Sequence, residues 1–75
     1  ILLSDEYTRE YTRTVSDCAT MLLAGSSIDE VMTSPWGPAS HLAGKCDIDN
    51  LADCVILLVR ARQLEARIAV QRKPS

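Results

Sequence analysis

Apolar side chains recur at helical intervals in two long stretches of the chain. In the first stretch they step by four, four, three and four residues, through Tyr7, Tyr11, Val15, Cys18 and Leu22. Because residues three and four apart share one face of an α-helix, this spacing predicts a helix over residues 5–24. Ser4 is its predicted N-cap, and Gly25 is its predicted stop.

The last third of the chain carries a longer pattern, in which apolar residues step by three, four, three and four. We call these five residues the seam: Cys54, Leu57, Ala61, Leu64 and Ile68. Their heptad-like spacing predicts a long helix over residues 48–73, with Asp47 as its N-cap and Pro74 ending it. Its first half is apolar nearly all round, because Leu51, Val55, Ile56, Leu58 and Val59 add further stripes.

The segment between the two stretches contains signals for short elements. Ser27 and Glu30 form a capping box, which predicts a short helix over residues 28–33. Pro35 closes that helix, and Trp36 follows in a turn-rich loop. Pro38 is suited to the first position of one more helical turn.

These elements predict a single all-α domain over residues 1–75, an antiparallel hairpin of two long helices with the short turns capping one end. Residues 1–59 carry nine acids and three bases (−6), and residues 60–75 carry five bases and one acid (+4). An antiparallel hairpin sets acids beside bases, namely Asp5, Glu6 and Glu10 beside Arg67, Arg72 and Lys73. The predicted core is Tyr11, Val15, Cys18, Leu22, Ile28, Val31, Leu51, Cys54, Val55, Leu58, Leu64 and Ile68.

No residue pattern predicts catalysis, a metal or a cofactor. Three cysteines and one histidine, His41, are present without a Cys-x-x-Cys pair, so we expect structural thiols rather than a zinc site. An odd cysteine count favours a reducing compartment, and we predict a cytoplasmic protein. The longest strictly apolar run is five residues, far below the roughly 20 that span a bilayer.

The first half of the long C-terminal helix carries the main functional expectation. A helix that is apolar all round must be covered all round, and this short chain lacks the side chains to do so. We therefore predict a protein–protein interaction module, regulatory, adaptor-like or chaperone-like, that assembles as a homodimeric helical bundle. The predicted partner-binding residues are Leu51, Val55, Ile56, Leu58, Val59 and Trp36. Trp36 has two interpretations, a plug at the end of the hairpin or an exposed anchor.

The alternative is a nucleic-acid-binding regulator that uses the basic C-terminal helix. Residues 21–25 and 27–32 resemble the first two helices of helix-turn-helix regulators, in that an apolar helix end, a glycine and a short capped helix follow one another. That resemblance implies a recognition helix over residues 35–42. The segment contains no Arg or Lys to reach phosphates and base edges, so nucleic acid is the less favoured partner.

Overall fold

The computed structural model describes residues 5–72, and these fold into three α-helices and one 3-10 helix. In chain order the elements are α1 (Asp5–Leu23), α2 (Ile28–Thr33), a 3-10 helix (Pro38–Leu42) and α3 (Ile48–Arg72). None of the described residues lies in a strand. The predicted all-α class is therefore confirmed, and the predicted Ser4 cap and the predicted end at Lys73 lie outside the described residues.

The helix boundaries follow from local hydrogen bonding. Gly25 has a φ of +112°, and its N–H and that of Ser26 donate to the carbonyls of Leu22 and Met21. These two hydrogen bonds to carbonyls of the last turn form a Schellman motif, which requires the positive φ that glycine adopts easily. At the start of α2 the Glu30 N–H donates to Ser27 Oγ over 3.1 Å, as the capping box predicts.

The start of α3 is capped by Asp47. Its Oδ1 accepts a hydrogen bond of 2.9 Å from the Asp49 N–H, while its carbonyl accepts from the Leu51 N–H. One carboxylate thus satisfies an N–H group that the first turn of a helix leaves without a partner. The predicted cap at this position is confirmed.

Helices α1 and α3 run in the same direction. The Tyr11 hydroxyl of α1 lies 3.8 Å from Cys54 Sγ of α3. Five residues further along α1, Ser16 Oγ accepts a 2.8 Å hydrogen bond from the guanidinium of Arg62, eight residues further along α3. Because the contacts advance together along both helices, the predicted antiparallel hairpin is wrong.

The connecting segment explains how the two long helices come to be parallel. It does not cap one end but returns along α1, so that the Tyr7 hydroxyl near the start of α1 donates to the Lys45 carbonyl, 3.5 Å away. The segment also supplies Val31, Ala39 and Leu42 to the core. Burying each large apolar side chain contributes about 1.5–3 kcal/mol, more than an exposed ion pair at under about 1 kcal/mol, so the charge blocks do not set the direction.

We call residues 24–47, which connect α1 to α3, the return segment. The core lies where this segment meets α1 and the first half of α3, which also pack directly against each other. Its fully buried members are Cys18, Ala19, Val31, Ala39, Leu42, Leu51 and Val55. Four of these were predicted, and a further five predicted residues pack against them: Tyr11, Val15, Leu22, Ile28 and Leu58. The predicted core positions Cys54, Leu64 and Ile68 are exposed, although Cys54 still lies beside the Tyr11 hydroxyl of α1.

The second half of α3 projects beyond the rest of the fold. Every residue from 63 to 72 is exposed, whereas the first half of the helix contains the buried Leu51 and Val55. These ten residues extend the helix by about 15 Å at 1.5 Å per residue. We call residues 63–72 the overhang.

Candidate protein-binding surfaces

The seam forms an exposed apolar stripe along α3. All five of its residues are exposed, including Leu57 at 64% and Leu64 at 55%. They share one face because each lies three or four residues from the next. From Cys54 to Ile68 the stripe is about 21 Å long at 1.5 Å per residue, so it reaches from the body of the fold onto the overhang.

The five predicted partner-binding residues that lie on α3 divide into three groups. Leu51 and Val55 are fully buried in the chain's own core, so their assignment to a binding surface is wrong. Leu58 and Val59 are half-buried against that core, and Ile56 is exposed on another side of α3. The seam, rather than the stripe through Leu51 and Val55, is therefore the apolar face that α3 presents to solvent.

Tyr11 and Cys54 link the seam to α1. The Tyr11 hydroxyl and Cys54 Sγ are 3.8 Å apart, and Tyr11 packs partly buried against the core. Burial, followed by the contact with Cys54, raises the pKa of Tyr11 to about 12. The hydroxyl therefore remains protonated and directed at the thiol throughout the neutral range.

Trp36 is held on a turn that points it into solvent. The backbone N–H of Trp36 donates to Ser34 Oγ over 3.2 Å, and the backbone N–H of Gly37 donates to the Ser34 carbonyl over 3.1 Å. A Cβ at Gly37 would lie 3.0 Å from the Val31 carbonyl oxygen, so the turn packs tightly against α2. The indole is 93% exposed, and the interpretation of Trp36 as a plug is therefore wrong.

An open cleft of about 610 Å³ lies between this turn and α1. Trp36, Pro38 and His41 line one side, and Glu10, Arg13, Thr14, Asp17 and Met21 of α1 line the other. Its side chains combine both signs of charge with one large aromatic ring, and neither the seam nor any cysteine contributes to it. The cleft is a second, more polar surface beside the exposed tryptophan.

Arg62 is the last residue of α3 that is partly buried, and it contacts α1. Its guanidinium donates to Thr20 Oγ1 over 3.1 Å and to Ser16 Oγ over 2.8 Å. The acids at the start of α1 were expected to lie beside the bases at the end of α3. This expectation is wrong, because parallel helices place the start of α1 beside the start of α3. Arg67 and Arg72 are exposed on the overhang, at the other end of the molecule.

The predicted thiol and histidine positions do not converge. Cys18 is buried, Cys46 is half-buried and Cys54 is exposed, and burial raises the thiol pKa of both Cys18 and Cys46. Within residues 5–72 no three side chains of His, Cys, Asp or Glu come together as candidate metal ligands. No helix in that range is long and apolar enough to cross a bilayer.

The segment that resembles the start of a helix-turn-helix unit continues differently. Where a recognition helix would follow α2, the chain forms the five-residue 3-10 helix Pro38–Leu42, with Ala39 and Leu42 buried. Comparisons with protein-family models, curated proteins and solved structures find no match to this chain.

Proposed function

We propose that this chain is a non-catalytic protein–protein interaction module that binds another protein chain through the seam of α3. The observation that carries this proposal is the exposure of all five seam residues at heptad-like spacing. The partner we propose is a second copy, so that the two α3 helices pair and the domains form a symmetric helical bundle. Trp36 on its turn offers a separate contact for a further protein.

The free energy gained by burying apolar side chains supports the binding of a second helix to the seam. Leu57 and Leu64 expose more than half of their surface, and the neighbouring small residues Cys54 and Ala61 let a second helix approach closely. Burying large apolar side chains contributes about 1.5–3 kcal/mol each, which is substantial for so small a domain. A contiguous apolar stripe is also a surface that soluble monomers seldom expose.

The proposed role uses the seam and does not depend on the cleft beside Trp36, whose histidine, His41, is exposed. The three free thiols suit a reducing compartment, and we propose the cytoplasm as the location.

The experiment that tests the proposal introduces a charge on the seam. Leu57→Glu should leave the helical content unchanged, because this side chain is already 64% exposed, and should shift the protein from dimer to monomer. Gln63→Glu is the matched control, since it places the same charge on an exposed position of the same helix, off the seam. Analytical ultracentrifugation measures assembly, and circular dichroism measures helix content. Equal assembly of both variants and the wild type would contradict a role for the seam.

A second candidate function is nucleic-acid binding by the end of α3. The observation favouring it is that Arg60, Arg67 and Arg72 are exposed on the second half of α3, away from the acids that start α1. Binding of this kind should weaken steeply as salt rises, because phosphate contacts release counterions. Fluorescence anisotropy with a labelled generic duplex at 50 and 200 mM salt separates the two functions. Binding that is absent at both concentrations removes this candidate.

A further inference from the structure

We infer that the second copy binds the seam in the antiparallel orientation, with Cys54 of each chain beside Leu64 of the other. This inference rests on the proposed function, because it specifies how two copies use the same seam. Charge is unevenly distributed along α3. Residues 47–59 contain three acids and no base (−3), and residues 60–72 contain four bases and one acid (+3).

The charge distribution distinguishes the two possible orientations. Antiparallel pairing lays the acidic first half of each α3 along the basic second half of the other. Parallel pairing lays acid along acid and base along base. Charge complementarity of this kind selects orientation and partner more than it adds affinity. A second copy is the occupant that supplies the complementary pattern twice, by symmetry.

The seam and its flanking charges set the register. In an antiparallel pair centred between Leu57 and Ala61, Leu57 of one chain packs against Ala61 of the other, which matches a large side chain with a small one. Cys54 then lies beside Leu64 of the second copy. Asp53, which precedes Cys54 in the sequence, comes within reach of Arg67 of the second copy, and symmetry makes this ion pair twice.

The fold leaves room for this arrangement. Leu51, Val55 and Arg62 face the chain's own body, and the seam lies on a different side of the helix, where every residue is exposed. The overhang of one chain, about 15 Å long, extends beside the first half of α3 of the other. Each chain thereby covers the part of its partner's helix that the partner's own body leaves uncovered.

Disulfide trapping tests orientation and register together. The variant Cys46→Ser/Leu64→Cys retains exposed thiols at positions 54 and 64, and Cys18 is buried. A disulfide within one chain is excluded, since ten residues of helix separate the two positions by about 15 Å, beyond the span of a disulfide. Mild oxidation followed by trypsin places the two thiols on separate peptides, because Arg60 and Arg62 lie between them.

The expected product is a peptide pair joining position 54 to position 64. Pairs joining 54 to 54 and 64 to 64 would overturn the antiparallel orientation while leaving the proposed function intact. The control Cys46→Ser/Gln63→Cys, with its new thiol off the seam, should give far less of a mixed product. If the wild-type protein remains a monomer at tens of micromolar while its helix content is intact, the proposal that a second copy binds the seam is overturned.

Charge reversal provides an independent readout without cysteine chemistry. Asp53→Arg should weaken self-association about tenfold, because two ion pairs become two repulsive pairs. Adding Arg67→Asp should restore the wild-type dissociation constant by recreating both pairs with reversed sign. If the double variant associates no better than Asp53→Arg alone, the proposed register is overturned.

Discussion

The two halves of α3 have similar seam residues and opposite surroundings. In the first half, Leu51 and Val55 are fully buried by α1 and the return segment. In the second half, every residue of the overhang is exposed, although Leu64 and Ile68 continue the seam. One helix thus serves as a core element over its first half and as an uncovered surface over its second.

The difference shows what local sequence preference contributes and what packing contributes. A helix in water gains little from propensity alone, and most helices in proteins persist because an apolar face is packed. The first half of α3 receives that support from its own chain. We propose that the overhang receives it from a second chain, so that the two halves differ in what stabilises them.

The largest expected effect separates the two halves by stability. Leu51→Ala removes a fully buried side chain and should lower the free energy of unfolding by about 2–5 kcal/mol. Leu64→Ala, at a position 55% exposed, should change the stability of the dilute monomer by less than about 0.5 kcal/mol. Urea denaturation at low micromolar concentration measures both. Similar losses in the two variants would show that the overhang is packed in the monomer.

Hydrogen exchange should show the next largest difference. Amides of residues 63–72 should exchange rapidly in dilute solution and slow down as concentration rises, because the second copy covers them only in the dimer. Amides of the buried first half should be protected at every concentration. Protection of the overhang that does not depend on concentration would mean that α3 is equally stable along its length without a partner.

Arg62 defines the boundary between the halves, and its removal should have a moderate effect. Arg62→Ala deletes the hydrogen bonds to Ser16 and Thr20 and should destabilise the monomer by about 1 kcal/mol. Arg60→Ala removes the same charge from an exposed position and serves as the control. Equal denaturation midpoints for the two variants would assign no stabilising role to the hydrogen bonds of Arg62.

A further predicted effect appears only at alkaline pH, at the contact between Tyr11 of α1 and the first half of α3. Tyr11 ionises at an ordinary pKa of 10.0 when unfolded and at about 12 in the fold, so the folded state holds the proton more tightly. Its contribution to stability is therefore complete below pH 10 and is lost as pH rises toward 12. Unfolding free energies at pH 9 and 11 should fall less for Tyr11→Phe than for the wild type. Leu64→Ala should show the wild-type fall.

Local signals in the sequence predicted the secondary structure well, and long-range arrangement was beyond them. Gly25, Ser27 and Asp47 act within one helical turn, so their effect on helix boundaries was predictable. The direction of α3 depends on how residues 24–47 pack, a sum of many burial terms to which the matching charge blocks contribute little. Trp36 shows the same limit, since its exposure depends on a turn fixed by contacts with α2.

The candidate site was half predicted for a related reason. Periodicity identified both apolar stripes of α3, one through Leu51 and Val55 and the other along the seam. Which stripe faces inward depends on the side from which α1 and the return segment approach. The helical spacing of the two stripes does not decide this, and the partner-binding assignment of Leu51 and Val55 was wrong for that reason.

The shared direction of α1 and α3 has an electrical consequence. The peptide dipoles of both helices add, with positive ends where Asp5, Glu6, Asp47 and Asp49 begin the helices. The fixed charges oppose this moment, with acids at one end of the molecule and the arginines of α3 at the other. Because three net charges at each end of α3 exceed the roughly half charge of a helix dipole, two molecules of the proposed dimer should turn head to tail as they approach. On the proposed dimer, added salt should therefore slow association, since screening weakens that orientation at a distance.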